Sequence, residues 1–153
     1  MPPPLLPVGL HRTDVAGLER LCVDSFPRSQ TRPRLMNAVS MVVSLASRLG
    51  IVSRIWVAGA LLTEEENPSD CMIILVLIET VLRGLNDEQR EFVDWFRDVR
   101  LYDKYGCHNY AVVLDAERPE HDRLNHYWFR QLGFHAEAGR SGVAELLTPT
   151  IAP

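Results

Sequence analysis

The feature that most constrains the fold is the segment CMIILVLIE, residues 71–79, in which eight apolar residues precede one glutamate. A continuous apolar run of this length is typical of a strand that is buried on both faces of a sheet. Three other segments have strand-like sequences: IVSRIWVAG (51–59), NYAVVLD (109–115) and GVAELLTP (142–149). We predict that the last of them is an edge strand, because Pro149 ends it and proline cannot donate to a strand ladder.

Segments with helical periodicity lie before and between these strands. Each begins or ends at a residue type that favours helix ends. The predicted ends are Asp14 with Thr13 for the first helix, Thr31 and Gly50 for the second, Asn86 for the third, and Pro119 and Gly133 for the fourth. The expected core face of the third helix is Phe92, Trp95, Phe96 and Val99. The resulting order, α-α-β-β-α-β-α-β, predicts an α/β (α+β) domain with a small mixed β-sheet flanked by helices.

The length of 153 residues and the hydrophobic content of 46% fit a single ordinary core. Residues 1–10, MPPPLLPVGL, are predicted to be a Pro-rich extended tail, and residues 11–150 the domain. No apolar run approaches the length of a membrane span, and the start lacks the basic residues of a secretory signal. Three cysteines without a CxxC motif predict reduced thiols in a cytoplasmic protein that lacks a cysteine metal site.

The net charge of −4 argues against a nucleic-acid partner, but the charge is unevenly distributed. Residues 1–60 contain seven arginines and three acids, whereas residues 61–153 contain nine basic and seventeen acidic residues. The basic part includes FPRSQTRPR (26–34). Two interpretations stay open: the two signs mark solvated faces of one domain, or one face recognises a charged partner.

The segment VAGALLTEEENPSDCMIIL, residues 57–75, joins two of the predicted strands through a glycine turn and a polar loop. Transfer of a nucleotidyl group requires divalent ions about 3.5–4 Å apart that carboxylates bridge. Two acids at positions i and i+2 of one strand lie on the same face and can do this. A Gly-Ser turn lets the backbone approach a triphosphate, and the serine hydroxyl binds it.

The segment resembles the polymerase-beta type nucleotidyltransferase superfamily. The chain is similar over most of its length to a family of small bacterial and phage nucleotidyltransferase-like proteins of unknown function, whose second block reads like W-x-x-G-S-F-V-T-x-x-x-N-P-x-D-x-D. The matching blocks, in order, are FPRSQTRPRL, RIWVAGALLTEEENPSDCMIIL, KYGCHNYAVVLD and YWFRQLGFHAEAGRSGVAEL. The resemblance implies a single nucleotidyltransferase-like domain.

The chain departs from that pattern at three functional positions. Gly59 and Asp70 match the turn glycine and the first carboxylate, but Ala60 stands at the serine position, Met72 at the second carboxylate and His108 at the third. One carboxylate cannot bridge two hard cations that require oxygen ligands, and a thioether is a poor ligand for magnesium. The resemblance therefore implies a vestigial site with no catalytic residues and no cofactor.

The expected function is that of a pseudoenzyme that binds a protein partner. By analogy with the resembled family, it would be a regulatory or neutralising subunit in a toxin–antitoxin or phage-defence system of a bacterium or phage. Arg28, Arg32 and Arg34 are the expected partner-binding residues. Neither nucleic acid nor a membrane is expected as a partner.

Two alternatives stay open. The protein could be a sensor that holds a nucleotide at Gly59, Asp70 and Arg32 without turnover, with magnesium and a nucleoside triphosphate as its ligands. It could also be an active nucleotidyltransferase whose carboxylates have moved to residues 64–66 or to Asp115. A flexible loop is a poor place for preorganised metal ligands, which disfavours the loop carboxylates.

Simpler structural roles also fit several of these residues. Asp70 could cap its loop, Met72 could be core packing, and Arg32 could form a salt bridge or cap the second helix. Cys107 and His108 are adjacent on a predicted strand and therefore point to opposite faces, which disfavours a shared soft-metal site.

Overall fold

The computed structural model describes residues 2–114 and 142–150. They form a mixed α/β domain with one five-stranded mixed sheet. The strands are β1 (Gly9–Arg12), β2 (Ser53–Ala58), β3 (Cys71–Ile78), β4 (Cys107–Leu114) and β5 (Gly142–Thr148). The helices are α1 (Val15–Glu19, extended by a π-helical turn over Arg20–Asp24), α2 (Arg32–Arg48), α3 (Glu79–Arg83), α4 (Asp87–Asp98) and α5 (Leu101–Tyr105). In the described ranges, no helix is long and apolar enough to cross a membrane.

The sheet has the strand order β1-β5-β2-β3-β4. β2 runs antiparallel to both β3 and β5, whereas β3–β4 and β1–β5 are parallel pairs. The prediction of a small mixed sheet is confirmed, and the strands that contain Trp56, Ile74 and Val112 are neighbours. The expected edge position of GVAELLTP is wrong, because β5 lies between β1 and β2.

The apolar run of β3 is buried on both faces of the sheet, as its sequence predicts. Cys71, Ile73, Leu75 and Leu77 belong to the core that α1, α2 and α4 cover, and Ile74 and Val76 lie in a second apolar cluster on the opposite face. The second cluster also contains Trp56, Ala58, Val112, Leu114 and Val143. A central strand with apolar groups on both faces is the physical reason for the unbroken sequence pattern.

The Pro-rich start lies against the domain and continues into β1. The backbone N–H of Leu5 donates to Leu62 O at 2.8 Å, Glu64 N–H donates to Pro3 O at 2.8 Å, and Gly142 N–H donates to Leu6 O at 2.9 Å. These bonds pair backbone groups of the Pro-rich start with residues 62–64 and with the first residue of β5. The strand over residues 9–12 was not predicted, because four residues that include a glycine carry no alternation.

Two of the predicted helix caps are confirmed. Asp14 accepts a hydrogen bond from Gly17 N at 2.7 Å, and Asn86 forms a reciprocal capping box with Gln89. Thr31 is the N-cap residue of α2, as predicted, but its hydroxyl forms no cap hydrogen bond and is buried without a partner among the described residues. Ser29 Oγ takes the role instead and accepts from Arg32 N at 3.1 Å.

The helix α4 buries a narrower face than its sequence suggests. Phe92, Val93 and Phe96 are buried, whereas Trp95 is 38% exposed, so the expected core position of Trp95 is wrong. Val99 follows the helix and packs partly buried against the core. The predicted helix between Pro119 and Gly133 lies outside the described residues.

Candidate functional site

The residues predicted to form the site lie in or directly beside three strands that meet at one end of the sheet. β2 ends and β3 begins at this end because the two strands are antiparallel, and β4 begins there because it is parallel to β3. Met72 is therefore the register partner of Ala58 on one side and of His108 on the other. We refer to Gly59, Ala60, Asp70, Met72 and His108 together as the Asp70 corner.

Gly59 occupies a backbone conformation and a space that favour glycine. Its φ is +95°, in the region that L side chains rarely adopt. A Cβ at this position would lie 3.3 Å from Cys71 Cα and 3.7 Å from Asp70 Oδ1. The turn continues with Ala60 as the first residue of a 3₁₀ turn, Ala60–Leu62. The glycine thus allows the end of β2 to touch the start of β3.

The side chains of Asp70 and His108 lie close to each other across the corner. Their side chains are 42% and 41% exposed, and His108 Nε2 lies 3.9 Å from Asp70 Oδ2. Water screens charges at this exposure, so the pair contributes little to stability. The Tyr102 ring stacks on the His108 ring with centroids 4.8 Å apart and an interplanar angle of 20°. An aromatic pair therefore occupies the position where the resembled family implies a third carboxylate.

Met72 is half-buried and packs against the cluster that contains Trp56 and Ile74. This contact agrees with its simpler interpretation as core packing. The simpler interpretation of Asp70 as a loop cap has less support, because its carboxylate has no backbone hydrogen bond within the described part of the chain; its partner there is His108.

Arg32 is not available to a ligand or a partner, so both of its predicted binding roles are wrong. Its side chain is fully buried. Its guanidinium donates five hydrogen bonds to backbone carbonyls, and the acceptors are Cys22 O, Leu61 O, Thr63 O and, twice, Glu65 O. It lies 3.7 Å from the centroid of the Phe26 ring. Arg32 therefore holds the loop before Asp70 against the start of α2.

The electrostatics of Arg32 follow from this burial. Removal from water lowers the pKa of the Arg32 guanidinium, and the nearby Cys22, Glu66 and Glu65 side chains oppose the shift. The predicted salt bridge or helix cap of Arg32 is also wrong, since its hydrogen-bond partners are carbonyl oxygens. The sequence gives no signal for such acceptors, which are backbone atoms of distant loops.

Arg28 and Arg34 are exposed. A Cβ built on Gly106, the residue before β4, would lie 3.7 Å from Arg34 Nη2 and 3.0 Å from Ser69 O. Arg34 and Ser69, the residue that precedes Asp70, therefore both lie beside Gly106. The segment before α2 also contacts this loop, because Asn67 Oδ1 accepts from Gln30 N at 2.7 Å.

The alternative of an active nucleotidyltransferase with displaced carboxylates gains no support from the positions of those carboxylates. The side chains of residues 64–66 are exposed, and Asp115 lies outside the described residues. Across residues 2–114 and 142–150, no three or more His, Cys, Asp or Glu side chains group in a way that could hold a metal ion.

The three cysteines are free and buried. Cys71 and Cys107 are partners in the parallel β3–β4 register, with their Sγ atoms 2.7 Å apart. The hydrogen bond to Cys107 and burial raise the pKa of Cys71 well above its ordinary value. Burial raises the pKa of Cys22 to about 12, although Arg32 opposes this. Cys107 faces the helix-covered core and His108 the Tyr102 ring, so the two do point apart, as expected.

Comparison with known proteins shows family membership. No curated protein and no solved structure matches the chain. The sequence model of a family of unknown function, DUF6932, matches residues 2–147. The match covers nearly the whole chain and includes the docked Pro-rich start and every residue of the Asp70 corner. The chain belongs to this family of unknown function.

Proposed function

We propose that this protein is a catalytically inactive nucleotidyltransferase-like protein that acts by binding another protein. One observation carries the proposal: the strand ends that would hold three metal-binding acids meet at the Asp70 corner, and Asp70 is the one acid among them. Met72 packs into an apolar cluster and His108 stacks on Tyr102. Neither side chain can bridge a pair of magnesium ions.

A single exposed carboxylate is a weak ligand for a hard cation. Mg²⁺ requires near-octahedral oxygen coordination, which a lone aspartate leaves to water. The corner therefore favours a protein that does not transfer nucleotides.

The proposed contact uses the exposed basic segment before and at the start of α2. Arg28 and Arg34 stay as candidates, and Arg32 does not, because its donors are used within the fold. We also propose a cytoplasmic location, which the three free thiols support. A role as a regulatory or neutralising subunit in toxin–antitoxin or phage defence rests on the resemblance alone.

We expect no nucleotidyl transfer by the purified protein. The assay offers each of the four ribonucleoside triphosphates, labelled at the α-phosphate, with magnesium or manganese and with total cellular protein and RNA as acceptors. Incorporated label that the Asp70→Asn variant no longer produces would overturn the proposal, because it would show chemistry that depends on the corner.

The nucleotide sensor is the second candidate, and the position of Arg34 beside Gly106, where Ser69 also lies, favours it. A bound nucleotide stabilises a fold by RT ln(1 + [L]/Kd), or about 2.7 kcal/mol at a hundredfold excess over Kd. Thermal unfolding with each triphosphate, with and without magnesium, therefore separates the candidates. Stabilisation that Arg34→Ala removes would select the sensor, and unchanged unfolding with every nucleotide would exclude it.

The combined substitution Arg28→Glu and Arg34→Glu should slow association with a partner by on the order of tenfold, since charge complementarity acts mainly on the association rate. High salt should reproduce part of the loss. The partner is sought among the products of neighbouring genes, and the rate is measured by surface plasmon resonance. Arg97→Glu on the exposed face of α4 is the control. An association rate that neither the double substitution nor salt changes would show that the basic segment is not the contact.

A further inference from the structure

A groove of about 480 Å³ lies between α2 and α4, away from the Asp70 corner. Its floor consists of Leu45 of α2, Leu49 directly after α2, and Phe92 of α4. Its rim consists of Arg48, Glu88, Glu91 and Trp95. We refer to these seven residues as the α2–α4 groove. It combines an apolar floor with a charged rim, the usual composition of a surface that docks another chain.

Trp95 is the most informative residue of the groove. It is 38% exposed, whereas Phe92 and Phe96 on the same helix are buried. Its ring contacts Phe92, with centroids 5.8 Å apart, so it extends the apolar floor outward. Exposed tryptophans in such positions are enriched among the residues that contribute most to protein–protein binding.

The rim is electrostatically asymmetric. Glu88 and Glu91 line the α4 side, and Asp87 and Asp94 lie exposed on the same helix. Within the described residues, none of these four acids forms a salt bridge. The α2 side carries Arg48. A ligand that places apolar side chains on the floor would thus meet mainly negative charge along α4.

We infer that the α2–α4 groove docks an amphipathic helix of a partner protein, with an apolar stripe flanked by lysine or arginine. Two packed helices leave a groove into which a third helix fits through side chains at i, i+3, i+4 and i+7. The groove residues of α4 span Glu88 to Trp95, which corresponds to about 12 Å or roughly two turns of contact. Basic residues beside the stripe would reach Glu88 and Glu91.

A second copy of this chain is a less suitable occupant. An isologous dimer places two copies of the same patch against each other, and each copy has two glutamates against one arginine. Like charges facing each other across an interface are unfavourable. The inference shares with the proposed function only the idea of a protein partner, and it concerns a different surface.

The test uses two synthetic amphipathic peptides of about five turns, or ~18 residues. They share one leucine stripe, and the stripe is flanked by lysines in one peptide and by glutamates in the other. Binding to the full chain is measured by fluorescence anisotropy of the labelled peptide. We expect saturable binding of one lysine peptide per chain, at least about tenfold tighter than that of the glutamate peptide.

The variants locate the binding. The double substitution Glu88→Lys and Glu91→Lys should reverse the preference between the peptides, and Trp95→Ala should weaken binding by about tenfold or more. Asp98→Lys with Asp103→Lys is the control, because it makes the same charge change outside the groove. Thermal unfolding verifies that each variant is folded, and if Trp95→Ala is not, the charge reversal decides.

Equal binding of the two peptides, or an equal effect of the groove and control variants, would overturn the inference. Self-association of the wild type that Glu88→Lys with Glu91→Lys abolishes would also overturn it and would identify a second copy as the occupant. These outcomes are independent of the proposed function. Nucleotidyl transfer would refute an inactive enzyme and would leave peptide binding unchanged. Absence of peptide binding would leave the proposed inactivity of the Asp70 corner unaffected.

Discussion

The substitution Arg32→Ala should lower the free energy of unfolding by at least about 4 kcal/mol, a large fraction of the roughly 5–15 kcal/mol that stabilises a typical domain. It would leave the carbonyls of Cys22, Leu61, Thr63 and Glu65 without their present donor. Each buried carbonyl that loses its partner costs roughly 1–3 kcal/mol, less where water can enter. The substitution also removes the contact of the guanidinium with the Phe26 ring.

Two related variants make this prediction specific, with urea unfolding followed by circular dichroism as the measurement. Arg32→Lys should be intermediate, because an ammonium has three donors and lacks the planar fork. Arg34→Ala should stay within about 0.5 kcal/mol of the wild type, since Arg34 is exposed. An Arg32→Ala protein with the wild-type urea midpoint would show that the five hydrogen bonds do not hold the loop.

Arg32 and Arg34 also show where inference from the sequence stops. Both lie in SQTRPR at the start of a predicted helix, and nothing local distinguishes the buried arginine from the exposed one. The distinction depends on carbonyls supplied by residues 22 and 61–65, and backbone acceptors leave no mark in a side-chain pattern. An arginine near a predicted phosphate site is therefore easily interpreted as a binding residue while its hydrogen-bond acceptors are unknown.

The same limit applies to the sheet: a local sequence pattern predicts some strands, and tertiary contacts determine others. The apolar run of β3 could be assigned as a central strand because burial on both faces requires it. By contrast, β1 is held by backbone bonds to β5, and its sequence GLHR has no alternation. Because β1 was not predicted, the proline after β5 indicated an edge strand, whereas β5 lies inside the sheet between β1 and β2.

The resemblance implied that Gly59, Asp70, Met72 and His108 form one site, and the strand directions in the structure explain why these positions meet. Once β2 is antiparallel and β4 parallel to β3, Gly59, Asp70 and His108 must share one end of the sheet. The stacking of Tyr102 on His108 could not be predicted, since Tyr102 lies on the short helix α5. The same limit applies to Trp95, because a helical period does not show how far a neighbouring helix covers the apolar face.

Rebuilding the implied acids tests the interpretation of the corner, and the expected effect is large. The triple substitution Ala60→Ser, Met72→Asp and His108→Asp should produce a protein whose stability depends on divalent metal. Positions 72 and 108 are register partners in adjacent strands, which lie about 4.8 Å apart. Position 70 lies two residues before 72, at a spacing of roughly 6.6 Å along the chain. Three carboxylates at this spacing suit two ions about 3.5–4 Å apart.

Without metal, these carboxylates repel one another, and each disfavours ionisation of the next. The metal-free triple variant should therefore be less stable than the wild type by about 1–3 kcal/mol, the range of typical destabilising substitutions. Manganese or magnesium at a hundredfold excess over Kd should return about 2.7 kcal/mol. The wild type should unfold at the same temperature with and without metal.

The control for this prediction keeps the shapes of the new side chains and removes their charge. Ala60→Ser with Met72→Asn and His108→Asn introduces side chains of nearly the same size as aspartate, so it should reproduce any loss of packing around Trp56 and Tyr102 but show no response to metal. Thermal unfolding of the three proteins in a chelator and in a manganese titration is the measurement. Stabilisation confined to the acidic variant would identify Asp70, Met72 and His108 as the three positions of a former metal site. A folded acidic variant that is indifferent to metal would show that the sheet does not hold these positions in the geometry that two ions require, and the nucleotidyltransferase interpretation of the corner would then fail.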